Sequence, residues 1–591
     1  MVTVNFLNEN ITVSVELGTT LLAAQIAAGL RPDAPCGGMG ICGKCLVELL
    51  TETGSWITVK ACTTMANQDM CIRTIRKDGS HHILTEGISN VNVIAPPVRA
   101  VRLQVERPTL EDPSAYWERI SHAMEKACGI QPEPNLVIAS GLRKILEELD
   151  YFPQAVYFRN ELLCLRQGGR VLTAAVDIGT TTVVLYLADS ETGEMLATVS
   201  RLNPQTEFGA DVISRANYAI QHGTEALSHS IWNAIQELLE KAVQYAGGKA
   251  EDVFSLIVAG NTCMHHLLLG LDPSSLVLSP YVPTISEMLF LNAADYCNNI
   301  HPSGKLIVLP CIAGFVGADT AAVMLSCEFD RREHLTLAID IGTNGELVLG
   351  DRRRTVACST AAGPAFEGAK ITCGMRGAEG AIDHAAWKDG HFTFSVIGGG
   401  APKGICGSGL LDLTSVLLSA GLLDETGRFA DDNEIPSEAE ELACRMKMVH
   451  SQRAFVISEF ESDGPDVYLT QRDIREVQLA KAAMAAGIGL MLDHLNRKVE
   501  EIEEVLIAGA FGNYMSPESA CAIGLIPKEL LGRIQAVGNA AGSGALLCAL
   551  NEKSLERTDD MAKKTEFLEL ASNPDFQDRF VDALNFPEEE L

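Results

Sequence analysis

The chain has 591 residues, room for three to five domains at about 100–200 residues each. It is 47% hydrophobic and 21% charged, an ordinary globular balance, and its formal charge is 46 − 77 = −31. That charge repels nucleic-acid phosphates and argues against a DNA or RNA partner, and no run of about 18 apolar residues marks a membrane span.

Val2, Val4 and Phe6 alternate with polar residues, as do Ile11, Val13 and Val15, with Asn8-Glu9-Asn10 between them. This predicts a β-hairpin, and without a basic leader it is not read as a signal peptide. Seventeen cysteines in such a chain predict a reducing, cytoplasmic setting with free thiols and a metal centre, not a disulfide framework. Residues 19–29 read as a short helix capped by Thr19 or Thr20, and strand-like pieces follow at 44–50, 56–59 and 71–75. Together they predict a small β-grasp module.

Inside that module the sequence "CGGMGICGKC" (36–45) sets Cys36, Cys42 and Cys45 at C-x5-C-x2-C spacing, and Cys62 follows. Four thiolates suit a 2Fe–2S cluster, and the intervening glycines let backbone N–H groups approach its sulfides. Four cysteines also suit structural zinc, although zinc sites usually pair two C-x2-C knuckles and only one occurs here. Cys71 is a reserve fourth ligand. Pro96-Pro97 then marks a linker, followed by helices expected at 114–127 and 139–149 between strands.

The remainder carries a near-repeat. "AAVDIGTTTVVLYLAD" (174–189) and "LAIDIGTNGELVLGD" (337–351) each hold a strand, Asp-Ile-Gly-Thr and a second strand, with Asp177 and Asp340 163 residues apart. Each turn offers N–H and hydroxyl donors to phosphate, and each carboxylate suits hydrated Mg2+. "GICGSGLLDL" (404–413) leads from a Gly-rich turn into a helix, where an N-terminus favours phosphate. "VLIAGAFGNYMSPESA" (505–520) runs from strand into small residues suited to a flat adenine ring. No G-x-x-x-x-G-K-[ST] occurs, so a P-loop is not expected. The adjacent His265 and His266 read as packing residues, and Cys358, Cys373 and Cys406 as small core residues.

The order "DIGTTT", "DIGTN", "AGAFGNY" resembles the two phosphate motifs and the adenosine motif of the actin-like ATPases. Joined to "CGGMGICGKC", and with stretches such as "STAAGPAFEGAKITCGMRGA", the chain resembles the reductive activators of corrinoid-dependent enzymes. That resemblance implies a multidomain α/β protein: a β-grasp 2Fe–2S ferredoxin-like domain (1–80), a linker (81–98), a small α+β middle domain (99–168), a two-lobed actin-like, ribonuclease H-like ATPase domain (169–552) and a helical, acidic tail (553–591). It implies cluster ligation by Cys36, Cys42, Cys45 and Cys62, and Mg2+ and water organised by Asp177 and Asp340. Phosphate would be held by Gly179, Thr180, Thr181 and Thr182 with Gly342, Thr343 and Asn344, helped by the helix entry at Gly407, Ser408 and Gly409. Gly509, Ala510 and Gly512 would line the adenosine. The implied activity is ATP-dependent delivery of one electron to the Co(II) of a corrinoid protein, with a ferredoxin or flavodoxin as donor, and a homodimer is compatible with it. Activators of dehydratases or reductases and a redox-sensing actin-fold kinase are the alternative expectations.

Overall fold

A computed structural model describes residues 1–8, 11–28, 30, 45–51, 56–74, 93–458, 467–512 and 514–587, and the side chains of Ile26 and Ala510 are not described. Cys36 and Cys42 therefore lie outside the described residues.

The expected hairpin forms from Val2–Phe6 and Ile11–Val15, paired antiparallel. Val2–Phe6 also pairs in parallel with Met70–Thr74, which joins the Leu46–Leu50 and Trp56–Lys60 pair, giving a five-stranded mixed sheet. The helix Leu21–Ala27 starts where Thr20 Oγ1 accepts from the Ala23 N–H at 3.2 Å, and Leu21 packs with Val4, Phe6, Val47 and Ile72 in one core. Alternation puts every second side chain of Val2–Phe6 on that core face, as the sequence pattern predicts.

A second unit holds the three-stranded antiparallel sheet Val98–Arg102, Gln154–Phe158 and Glu161–Arg166. The helix Tyr116–Cys128 covers it, and the segment expected as one helix at 139–149 is split into Leu136–Ala139 and Leu142–Glu148. Asn135 caps the first piece by accepting from Val137 and Ile138, and Gly141 separates the two. Ala95, just before the two prolines, exchanges backbone hydrogen bonds with Leu550 and Glu552, and Arg99 forms an ion pair with Glu552 at 2.9 Å. The linker end is thus stitched to the last third of the chain.

The near-repeat becomes two six-stranded sheets of one design. In the first, Leu172–Ile178, Thr182–Asp189 and Met195–Leu202 form an antiparallel meander, and Val253–Gly260 adds in parallel beside the first strand. In the second, Thr336–Ile341, Gly345–Gly350 and Thr355–Thr360 form the meander, and Glu504–Ala508 adds in parallel in the same place. Both Asp-Ile-Gly-Thr turns therefore sit at equivalent strand ends. The helices Ala318–Ser326 and Ala540–Leu550 share one apolar core with residues of both sheets, among them Ala175, Tyr186, Ala338 and Leu506.

The described part of the expected tail, residues 553–587, is folded onto the rest of the chain. Glu552–Lys564 buries Leu555 and Met561 in that shared core, Glu566–Phe567 extends the second sheet, and Pro574–Asp582 packs on the long helix Gln471–Leu495. Cys358 and Cys406 are buried core residues, and Cys373 is partly buried against the same core. Among the described residues no helix is long and apolar enough to cross a membrane.

Candidate nucleotide and cluster sites

The first turn is fixed from behind by buried polar side chains. Asn203, wholly buried, donates to the Gly179 carbonyl at 2.8 Å, and its own N–H donates to the Thr181 carbonyl at 2.9 Å. Arg215, also wholly buried, donates to the carbonyls of Thr180 and Gly209, and Asn261 donates to Thr180 Oγ1 at 3.0 Å. Carbonyl oxygens that would repel an anion are thereby engaged by the protein. Burial lowers the Arg215 guanidinium to about 10, still charged at neutral pH. Thr182 opens the outgoing strand.

The second turn closes on itself, Gly342 N–H donating to the Asn344 carbonyl at 2.9 Å. Against it packs the short helix Gly363–Phe366. A Cβ at Gly363 would lie 2.0 Å from the Gly342 oxygen and 2.3 Å from that of Thr343, so only glycine permits this approach. The helix delivers Glu367, whose two carboxylate oxygens accept from Thr181 Oγ1 at 3.1 and 3.2 Å and from Thr343 Oγ1 at 3.3 Å each. One side chain thus joins turns 163 residues apart in the chain, and the two expected phosphate motifs face each other.

Around the turns stands a group of carboxylates. Asp177 pairs across its hairpin with Val184, whereas Asp340 pairs with Glu346. Asp319 lies in the first turn of the helix Ala318–Ser326. Burial, then Asp319, raises Asp177 to about 7; burial, then Asp319 and Asp177, raises Asp340 to about 7. Burial raises Asp319 to about 6, and Glu346 is pushed well up by burial and by the aspartates. The three aspartates keep a partly exposed edge although protein surrounds them on the other sides. Such self-repelling carboxylates are relieved by a divalent cation. Among the described residues no three acidic, histidine or cysteine side chains converge closely enough to ligate an ion outright.

Gly509 has φ +84°, and a Cβ there would meet Asp340 Oδ1 at 2.8 Å, which places the start of the 509–512 turn directly beside the aspartate. Gly512 packs on Ile507. The turn Gly407, Ser408 and Gly409 begins the helix Gly407–Ser419 and is buried, with Gly407 tight against the Phe366 carbonyl and the Phe511 ring. All the expected nucleotide segments are therefore gathered around one place. A surface hollow of about 420 Å³ lies elsewhere, on the 93–166 unit beside Tyr116 and Arg143, and holds none of these groups.

Sequence reasoning gave no role to Asp319, Glu346 or Glu367, whereas Asn203 and Arg215 lie in the stretch 203–216, which reads equally as a phosphate or partner contact and as an ordinary loop. Glu346 was the most accessible, since the strand after the turn must return past Asp340; the register sets it six positions on, whereas the first hairpin sets Val184 seven positions after Asp177. Glu367 carried no periodic signal, because its position depends on the contact between Gly363 and the second turn.

At the other end of the chain, Leu46 and Lys60 form the last pair of their strands, and the Ala61 N–H donates to the Cys45 carbonyl at 2.7 Å. Cys45 and Cys62 are thus neighbours, both buried in the β-grasp core. The pair fits half of a four-thiolate set. Cys71 lies within the strand Met70–Thr74, where its backbone pairs with Asn5.

His266 is a packing residue, as expected. Its Nδ1 lies 2.8 Å from the Thr262 carbonyl, and its Nε2 accepts from the Thr284 N–H at 2.9 Å. His265 is buried and kept neutral, lowered to about 4 by burial and His266, and neither ring nitrogen has a hydrogen-bond partner.

Three family models match the chain: the RACo linker region over residues 89–171, the RACo middle region over 172–332, and the C-terminal domain of RACo, the ASKHA domain, over 334–591. The linker model covers residues 89–98 of the expected linker together with the unit built on Val98–Arg102. The corrinoid activation enzyme RamQ of Eubacterium limosum is 35% identical over 97% of each chain. The [Co(II) methylated amine-specific corrinoid protein] reductase of Methanosarcina barkeri is 24% identical over 70% of this chain and 76% of its own. The solved reductive activator for corrinoid, iron–sulfur protein superposes with a TM-score of 0.76 at 31% identity, covering 100% of this chain and 99% of that one. With the duplicated lobes and the paired turns, these matches place the chain in the RACo family of corrinoid reductive activators, with an actin-like ATPase fold.

Proposed function

We propose that this protein binds MgATP between its two Asp-Ile-Gly-Thr turns and couples ATP hydrolysis to the transfer of one electron onto the Co(II) corrinoid of a partner protein, restoring Co(I). The electron comes from a 2Fe–2S cluster on Cys36, Cys42, Cys45 and Cys62, reloaded by a low-potential donor. The observation that carries this reading is Glu367, which draws Thr181 and Thr343 of the two lobes to a single carboxylate. The neighbouring Cys45 and Cys62, and the corrinoid-directed names of the relatives, support it.

Asp177 and Asp340 hold the hydrated metal, and the turns at 179–182 and 342–344 hold phosphate oxygens. Gly407, Ser408 and Gly409 bring a helix entry toward the nucleotide, and Gly509, Ala510 and Gly512 line its adenosine. A cluster on the four cysteines supplies a single low-potential electron. Making Co(I) is uphill for most donors, and each ~60 mV of one-electron deficit costs about 1.4 kcal/mol. A gap of a few hundred millivolts is then comparable with the roughly 5.5 kcal/mol that inverts a 1:99 population, which is the scale of bias that nucleotide-driven lobe closure would have to supply. The account assigns hydrolysis to release of the reduced partner, which resets the protein for another cycle.

The test is anaerobic reactivation of a Co(II) corrinoid protein in excess over the reconstituted chain, with ATP or a non-hydrolysable analogue. Many turnovers with ATP and about one with the analogue support the reading. Equal yields remove hydrolysis from it.

A further inference from the structure

The reading above leaves the attacking water of ATP hydrolysis without a partner. Asp177, Asp319, Asp340 and Glu346 form one set of mutually repelling buried carboxylates, of which Asp177 and Asp340 are assigned above to the metal. Glu367 stands apart from them. It is held by the hydroxyls of Thr181 and Thr343, one from each phosphate turn, so it lies where the terminal phosphoryl group must come if both turns grip one triphosphate.

We infer that Glu367 is a catalytic residue that orients the attacking water and takes its proton, an assignment that rests on the ATP-hydrolysing reading of the same site. A carboxylate has about four acceptor positions, and the two threonine hydroxyls occupy about two. The others are left for the O–H bonds of one water. The side chain is partly exposed in the site, so a water has access to it. Its position is rigid for three reasons. It ends a short helix pressed against Gly342 and Thr343, both oxygens are hydrogen-bonded, and the neighbouring Phe366 ring packs 5.3 Å from that of Phe511. Phosphoryl transfer depends on positioning more than on a strong base, so a carboxylate weakened by two hydroxyl donors still suffices.

The step balances without a co-reactant. The water oxygen bonds to the γ-phosphorus, and the bond to the β–γ bridging oxygen breaks with its electron pair passing to ADP. One water proton moves to Glu367 and from there to solvent, leaving ADP and inorganic phosphate.

The test uses the full chain with MgATP, measuring phosphate release in single turnover and ATP binding separately. For Glu367→Gln the expected result is a fall in kcat of about 10²–10⁴-fold with ATP affinity within a few-fold of wild type. Glu367→Asp, which keeps the charge and withdraws it by one methylene, should lose about 10–100-fold in kcat and leave affinity unchanged. Circular dichroism checks that each variant is folded, and the Asp variant decides the matter if the Gln variant is not. If wild type hydrolyses ATP and both variants match it, the inference is overturned. Tighter ATP binding with full kcat also overturns it, because the carboxylate would then be a latch that competes with phosphate. A wild type that hydrolyses no ATP would overturn the parent reading instead.

Discussion

Gly509→Ala perturbs the site directly beside Asp340. Its φ of +84° costs an L-residue about 1–2 kcal/mol, a strain felt by the folded state alone. The new methyl group would also stand 2.8 Å from Asp340 Oδ1, so the carboxylate must retreat by about 0.6 Å to reach an ordinary contact near 3.4 Å. A misplacement of 1 Å in a reacting constellation costs about 10²-fold, so about 10-fold in ATPase kcat is expected here. Gly532→Ala is the control: φ is +91°, with no atom within 4 Å of the added Cβ, so it carries the same backbone strain without touching the site. Thermal melts should shift alike for the two variants, while steady-state ATPase should fall only for Gly509→Ala. If both variants keep the same ATPase within about twofold, the placement of Asp340 beside the 509–512 turn has no bearing on catalysis and the argument fails.

Asp340→Ala should abolish ATP hydrolysis, by about 10²-fold or more, and leave the visible spectrum of the reconstituted cluster unchanged; a bleached spectrum would show that the two sites are not separable. Cys62→Ser should lose that spectrum and Cys71→Ser retain it, read by absorbance and iron content after anaerobic reconstitution. Lys481 is buried on the helix Gln471–Leu495, donates to the Asn585 carbonyl, and is lowered by burial from 10.5 to about 8. Between those values the unfolded chain binds more protons than the folded one, so stability rises with pH from about 8 to 10.5 and the full penalty persists below 8. The wild type should therefore gain on Lys481→Met, by on the order of 3 kcal/mol, between melts at pH 7 and pH 10.5; a constant difference would mean that the lysine titrates alike in the folded and unfolded chains.

Much of the fold was legible because its elements announce themselves locally. Val2, Val4 and Phe6 alternate because one face is buried, and the repeated strand–Asp-Ile-Gly-Thr–strand units became matching sheets because the same short turn joins the same kind of strands. The long helix Gln471–Leu495 starts at a Thr470–Asp473 cap of the spacing a sequence displays locally, Thr470 Oγ1 accepting from the Asp473 N–H at 3.2 Å. What escaped the sequence was long-range. The break falls at Ser140-Gly141 between two helical pieces, and the burial of Leu555 and Met561 under both lobes depends on surfaces formed far away in the chain. Glu367 and Arg215 became site residues only once Gly363 met the second turn and the Val212–His222 helix met the first.

The coupling of nucleotide to electron is tested most directly by electron paramagnetic resonance of a Co(II) corrinoid protein mixed one-to-one, without oxygen, with the prereduced chain. With MgATP present the Co(II) signal should disappear in step with oxidation of one cluster per cobalt, and without nucleotide it should persist. Loss of the signal at the same rate and extent in both samples would contradict the account.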